Sequence, residues 1–189
     1  PPPGSVIIRG ASTSGSGCPQ GTVDTTISQT SDWVTFGFDS FRTAIGPDAS
    51  TQAIRSQYCS MRLDMLYPGG YQYSIIDATY HIYARLDDGV SGAFISTYFF
   101  SQNAARSFDT IATFNGPTPP FGTTFTKVDT ADNPSIVWSP CGAEGTLNIN
   151  NRMAMTAAND TLTGEMGDID ATIKSTQIMA MRFAWRTCT

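Results

Sequence analysis

The sequence predicts an all-β fold, a two-sheet antiparallel β-sandwich that can take a jelly-roll-like form, stapled by two disulfides. Three observations lead there. Apolar and polar residues alternate with period two along most of the chain, and turn residues interrupt the alternation about every ten positions. The polar residues are of the strand and turn type: Ser and Thr together number 43, and Asp outnumbers Glu fourteen to two. Glu and Lys, both strong helix formers, occur twice each. The third observation is four cysteines, Cys18, Cys59, Cys141 and Cys188, spread over 189 residues with one histidine to assist them. No C-x-x-C pair or zinc-like spacing is present, so the even, dispersed set reads as structural disulfides. Disulfides persist in oxidising compartments, so the protein is expected to be secreted and extracellular.

Residues 1-17, rich in Pro, Gly and Ser, read as an N-terminal arm that a short strand at Val6-Ile7-Ile8 ties down. Residues 18-189 read as a single sandwich domain. Val23, Thr25 and Ile27 alternate with polar residues, and Val34, Phe36 and Phe38 form the next inward set. Cys59, Met61, Leu63, Met65 and Tyr67 alternate with Ser60, Arg62 and Asp64. Tyr67-Pro68-Gly69-Gly70-Tyr71 then reads as a turn. From Tyr71 to Leu86 the inward phase switches at Ile75-Ile76, which predicts a bulge or a strand that passes between two sheets. Asp87-Asp88-Gly89 carries a hairpin signal, and Val90–Phe100, apolar in both phases, reads as a central strand. After a proline-marked loop at Pro117, Pro119 and Pro120, the last strong strands are Thr146–Thr156 and Gln177–Thr187. Their inward residues are Leu147, Ile149, Met153 and Met155, then Met179, Met181, Phe183 and Trp185. That makes roughly ten strands, with Phe36, Leu63, Ile82, Met153, Met181 and Phe183 as the predicted core.

Charged residues are 14% of the chain, hydrophobic ones 40%, and the net charge is −5. A nucleic-acid binder needs a cationic footprint, so no nucleic acid is expected as partner, and anionic membranes are excluded for the same reason. No apolar run approaches the roughly 20 residues that span a bilayer. Pro1-Pro2-Pro3-Gly4 reads as the start of a mature form. Asn159-Asp160-Thr161 is a glycosylation sequon, whereas Asn133 is disqualified by Pro134. Of the three possible disulfide pairings, the sequential one, Cys18–Cys59 with Cys141–Cys188, is favoured, because it ties the arm to an early strand and Trp138–Gly142 to the last one.

Four local motifs occur in order: Cys18-Pro19-Gln20-Gly21, Tyr67-Pro68-Gly69-Gly70, Trp138-Ser139-Pro140-Cys141-Gly142 and Leu147-Asn148-Ile149-Asn150. From about Gly17 to Cys188 the chain resembles a family of small secreted proteins common in filamentous fungi and catalogued as a domain of unknown function. The resemblance implies secretion and a disulfide-bonded domain; it brings no catalytic residues. Tyr58 departs from it, standing where the family often has Asn.

No residue earns a catalytic role from the sequence. His81 shares a strand phase with Asp77, Thr79, Tyr83 and Arg85, but residues i and i+4 on a strand stand about 13 Å apart, so the row reads as a solvated face. Glu144, Glu165, Asp64 and Asp77 are acids that a glycosidase pair would need, and Gln57, Gln72 or Gln177 would serve an acid peptidase. No cofactor is expected. Calcium is the one ion left open, at Asp129–Asn133 and Asp168–Asp170, although neither matches an EF-hand loop. Trp33, Tyr83, Tyr98 and Phe121 are candidate exposed rings for sugar stacking, with Asn148, Asn150 and Arg152 as an outward polar row. The reading is therefore a secreted non-catalytic binding module, with cell-wall polysaccharide as partner. The alternatives are a carboxylate-dependent hydrolase and a secreted effector or inhibitor that binds a protein. The oligomeric state is not legible.

Overall fold

A computed structural model describes residues 1–2, 5–130, 137–167 and 177–188. Eleven strands are formed there: β1 (Ile7–Ser14), β2 (Val23–Ile27), β3 (Trp33–Phe38), β4 (Arg42–Ile45), β5 (Ser56–Leu86), β6 (Val90–Phe100), β7 (Ser107–Asn115), β8 (Thr123–Thr130), β9 (Gly142–Ala157), β10 (Gly164–Gly167) and β11 (Gln177–Thr187). One short helix, α1 (Ala49–Ala53), and a 3₁₀ turn at Ser101–Asn103 complete the elements. All pairings are antiparallel.

The 31-residue strand β5 belongs to both layers. Up to Leu66 it pairs with β1 on one edge and β9 on the other, and β6 and β7 extend that layer beyond β9. From Tyr71 it pairs with β11 on one edge and β8 on the other, and β3 and β2 extend this second layer beyond β11. Near its end β5 takes up β10, which in turn carries β4. The sandwich is thus one hydrogen-bonded sheet folded over along β5.

The fold lies at Tyr67–Gly70, the segment expected to be a turn. It reverses the chain as expected: Tyr67 and Tyr73, on either side of it, meet edge to face at 5.4 Å. The ladder to β9 stops at Leu66 opposite Glu144 and resumes at Tyr71 opposite Gly142. Pro68 lacks a ladder N–H, and Gly70 takes φ 82°, so the chain turns back here and enters the other layer, where Tyr73 faces Phe100 and Tyr80 faces Phe94. The predicted phase switch is real and separate. Arg182 pairs with Asp77 and Phe183 with Ile75, leaving Ile76 as the extra residue of a β-bulge. The inward phase moves there from Tyr73 and Ile75 to Ala78, Tyr80 and Ile82, all buried.

Two expectations are corrected. Asp87–Val90 does make a turn, with the Val90 amide donating to the Asp87 carbonyl at 3.1 Å, but no hairpin follows. The end of β5 lies in one layer, while β6 pairs with β9 and β7 in the other. The Ser/Gly-rich start, expected as an arm tied down by three residues, contains eight-residue strand β1 along β5, with its register shifted between Ile8 and Gly10. Strand pairing is a backbone property, and a free edge of β5 accepts side chains of low strand propensity.

All six predicted core residues are buried. Aromatic rings bridge the layers, Tyr80 against Phe94 at 4.9 Å and Tyr73 against Phe100 at 5.1 Å, both edge to face. Both disulfides form as favoured, Cys18–Cys59 and Cys141–Cys188, at sequence separations of 41 and 47. In the chain-entropy account, loops of that size stabilise the fold by about 4 kcal/mol each.

Phe183 packs edge to face on Tyr73 at 5.2 Å and is 4% exposed. Phe183→Ala is therefore expected to cost about 3–5 kcal/mol by chemical denaturation; an unchanged midpoint would show that this strand face is not in the core. Tyr73 is fully buried, and its hydroxyl has no hydrogen-bond partner among the described residues. Burial pushes its phenol well above the ordinary value, with the neighbouring Tyr67 adding to the effect. The unfolded phenol ionises near about 10, so above that pH the unfolded chain loses a proton that the folded chain keeps. Stability is full below that value and falls as pH rises toward the folded one. Tyr73→Phe should leave neutral-pH stability within about 1 kcal/mol or raise it, because an unpaired hydroxyl is removed. It should also reduce the alkaline loss, as read from melting temperature against pH.

Candidate functional site

Four chain segments meet at the C-terminal end of β5: β4 with the turn after it, Arg85–Asp87, the 118–120 loop and β10. They enclose a cleft of about 490 Å³, within the range of small-molecule sites. Each polar group has a local reason to be there. Register sets Glu165 of β10 opposite Arg85 of β5, and the two form an ion pair at 2.8 Å. Asp87 accepts from the Thr163 amide at 2.7 Å and its hydroxyl at 2.9 Å, fixing the chain that leads into β10. Arg42 and Asp48 add one charge of each sign. Ala44, Ile45, Pro119 and Pro120 add apolar surface to the lining.

The proline loop is held in place by backbone groups. The Thr118 amide donates to the Leu86 carbonyl at 2.9 Å, and the Leu86 amide donates to the Thr118 hydroxyl at 2.8 Å. A turn follows, closed by the Gly122 amide on the Pro119 carbonyl at 2.8 Å. Gly122 has φ 73°, and a Cβ there would stand 2.2 Å from the Tyr83 hydroxyl, so the position suits glycine alone. Tyr83 passes beneath and donates to the Phe121 carbonyl at 2.6 Å. The turn leaves the Phe121 side chain 90% exposed, directly after the two prolines that wall the cleft.

The structure separates the residues that the sequence grouped as binding candidates. Tyr83 and Phe121 come together beside the cleft. Trp33 lies on the outer face of the second layer at the edge of exposure, with the Arg182 guanidinium 6.0 Å from its ring centroid. Asn148, Asn150 and Arg152 lie on the outer face of the other layer, where Asn148 donates to Ser101 at 2.8 Å and Arg152 to Ser56 at 3.2 Å. Tyr98 is a correction: it is 2% exposed. Strand β6 alternates strictly, and its even positions face the other layer, so Tyr98 stacks on Phe108 at 5.7 Å and meets the Tyr80 hydroxyl at 3.2 Å. No sugar reaches it.

The four candidate acids are likewise dispersed. Asp64 and Glu144 line a second groove of about 330 Å³, where Asp64 accepts from Thr146 at 2.8 Å and Glu144 pairs with Arg9 at 3.4 Å. Glu165 is in the cleft. Asp77, expected on a solvated face, is only 5% exposed, because Arg182 lies over it at 2.5 Å. The row from Asp77 to Arg85 is connected across strands rather than along β5: His81 meets the Thr126 hydroxyl at 2.8 Å, and Arg85 meets Glu165. Among the described residues no group of three His, Cys, Asp or Glu is placed to hold a metal; both proposed calcium loops run into residues outside the described set. Asp32 sits in the β2–β3 loop, where hydrogen bonds from Thr30 and then Ser28 hold its carboxyl below the usual range.

Sequence reading missed Arg42, Asp48 and Asp87, which line the cleft with Glu165, and also Trp138, on whose ring Arg186 lies at 3.9 Å. Turn residues such as Asp87-Asp88-Gly89 and the prolines marked the loops that form the cleft. Nothing local marked that these loops converge.

A family model described as a domain of unknown function (DUF4360) matches residues 4–188. An uncharacterized secreted protein of Arthroderma benhamiae is 36% identical over 189 residues, which is all of this chain and 74% of that protein. The protein is secreted, in keeping with that relative and with its two disulfides; among the described residues no helix is long and apolar enough to cross a membrane. Solved structures that match include TmCBM61 in complex with β-1,4-galactotriose, at 10% identity and TM-score 0.26, covering 96% of this chain and 90% of that one. A family 11 carbohydrate-binding module from Clostridium thermocellum, in complex with a β-1,3-1,4-mixed-linked tetrasaccharide, matches at 9% identity and TM-score 0.27, covering 93% and 90%. At such scores the likeness carries no conclusion about binding.

His81 bears on none of the cleft's walls. His81→Ala should remove one hydrogen bond and cost about 1 kcal/mol or less, with the cleft unaltered. A loss of several kcal/mol in urea melts would show that the histidine holds β8 to β5.

Proposed function

We propose that this protein, which belongs to the DUF4360 family, is a secreted non-catalytic module that binds cell-wall polysaccharide through the cleft at the end of β5. The observation that supports this reading most is the composition of that cleft. A sugar ring presents hydroxyls at its rim and an apolar C–H face. Hydroxyls are well matched by charged planar groups that accept or donate in pairs, as Arg85, Glu165 and Asp87 do. The C–H face is matched by flat apolar surface, which Pro119, Pro120 and the exposed ring of Phe121 supply. The Phe121 ring, 90% exposed, stands beside a polar cleft, and the two together fit an amphipathic ligand. The acidic net charge of −5 suits neutral or cationic polysaccharide better than polyanionic glycans.

Purified protein should be retained by at least one of insoluble chitin, β-glucan or mannan, and released by the matching soluble oligosaccharide. Phe121→Ala and Glu165→Gln should each weaken retention about tenfold, the loss of roughly 1.4 kcal/mol, while melting temperature stays within a few degrees. No reducing sugar should appear. Retention of the variants equal to that of wild type would remove the cleft from the reading, and release of sugar would favour a carboxylate-dependent hydrolase instead.

A further inference from the structure

We infer that Asn159 is an N-glycosylation site, presented by a braced loop on the shoulder of the cleft. Three kinds of observation meet at this position. The first is chemical: Asn159-Asp160-Thr161 satisfies the acceptor pattern, with Thr at the third position and no proline between. The second is accessibility. Asn159, Asp160 and Thr161 are all exposed, in the loop between β9 and β10. The third is local geometry. Asn159 Oδ1 accepts from the Thr161 amide at 3.0 Å and from the Thr161 hydroxyl at 2.6 Å. These bonds occupy the oxygen end of the carboxamide, and Nδ2 has no partner among the described residues. The nitrogen that must carry the sugar is the end left free.

The loop is held at both sides of the sequon. The Ala158 amide donates to the Gly89 carbonyl at 3.0 Å, and Thr163 donates twice to Asp87. Leu162 lies against the Gly89 turn between them. None of these contacts uses the Asn159 nitrogen that the modification would take. The reaction is a glycosyl transfer from a lipid-linked oligosaccharide of the secretory lumen. Nδ2 attacks C1 of the first sugar, a C–N bond forms, the C–O bond to the polyprenyl pyrophosphate breaks, and one amide proton leaves to a base of the transferase. Both substrates are available to a secreted chain. Thr163 and Glu165 follow within six residues of Asn159 and line the cleft, so the sequon lies in the chain that leads into the cleft's wall.

The test is secretion of the full chain from a eukaryotic host, followed by intact-mass measurement and peptide mapping. Wild-type protein should carry a glycan-sized mass increment on the peptide containing Asn159. Peptide N-glycosidase should remove it and convert the linkage asparagine to aspartate. Asn159→Gln and Thr161→Ala should each lose the increment, and Thr161→Ser should keep it in part. Asn159→Gln should also retain the wild-type melting curve after enzymatic deglycosylation of both. Unmodified Asn159 in secreted wild-type protein overturns the inference, as does an increment that survives in Asn159→Gln.

Discussion

Everything in this protein hangs on one strand that serves two sheets. A sandwich has to bring two apolar faces together, and the usual means is a loop that carries the chain from one layer to the other. Here the crossing is made inside β5, where Tyr67–Gly70 turns the strand back over its own first half. Pro68 cannot donate to a ladder, and Gly70 adopts a φ of 82°, so this corner is specified by residue chemistry. A second irregularity, the bulge at Ile76, resets which side of the strand faces inward once the layer has changed. Without it, Tyr80 and Ile82 would point to solvent and the outward row from Thr79 to Arg85 would point into the core.

The interior created this way is rich in aromatic and methionine side chains, and several of its polar groups are paired across strands. Tyr80 is joined to Thr110 and Tyr98, and Ser96 to Asn151 at 2.5 Å. The Ser139 hydroxyl accepts from the Tyr73 amide at 3.0 Å, and the Tyr67 hydroxyl donates to the Pro140 carbonyl at 2.9 Å. These bonds dock the segment before Cys141 onto the corner of β5, and the Cys141–Cys188 disulfide then ties the same segment to the end of β11. The other disulfide does the equivalent for the chain after β1 at Cys59. Covalent and hydrogen-bonded restraints thus converge on the first half of β5 and its corner. The far end, where the cleft lies, is held by noncovalent contacts.

How much of this could be read from the sequence depends on whether the signal was local. Alternation of period two revealed the inward residues of β3, β5, β9 and β11, because burial of one strand face leaves its mark residue by residue. The same logic located the bulge, since two consecutive isoleucines at Ile75-Ile76 break the alternation. It failed at Tyr98, because β6 is apolar in both phases and covered by neighbours on both edges, so either phase could face inward. Tyr67–Tyr71 and Asp87–Gly89 were recognised as turns, but the second was misread as joining two paired strands. Turn residues report a bend in the backbone and say nothing about which sheet the next strand joins. The cleft was beyond reach for the same reason. Arg42, Arg85, Glu165 and the prolines are far apart in sequence and meet through the pairings of β10 with both β4 and β5.

The shared strand also determines how this architecture can be altered. A sandwich whose layers are joined by loops can be cut, permuted or recombined at those loops, because each sheet keeps whole strands. Here any division between the layers would cut β5 at the corner on which the segment before Cys141 is docked, and would bare the apolar face of each sheet. Neither sheet can therefore serve as an exchangeable module or fold as an autonomous piece. Variation is confined to the segments at the ends, the 116–122 loop and the loop between β9 and β10 above all, where substitutions and insertions leave the ladders of β5 intact. New specificities in such a lineage would arise by changing its rims around an invariant spine.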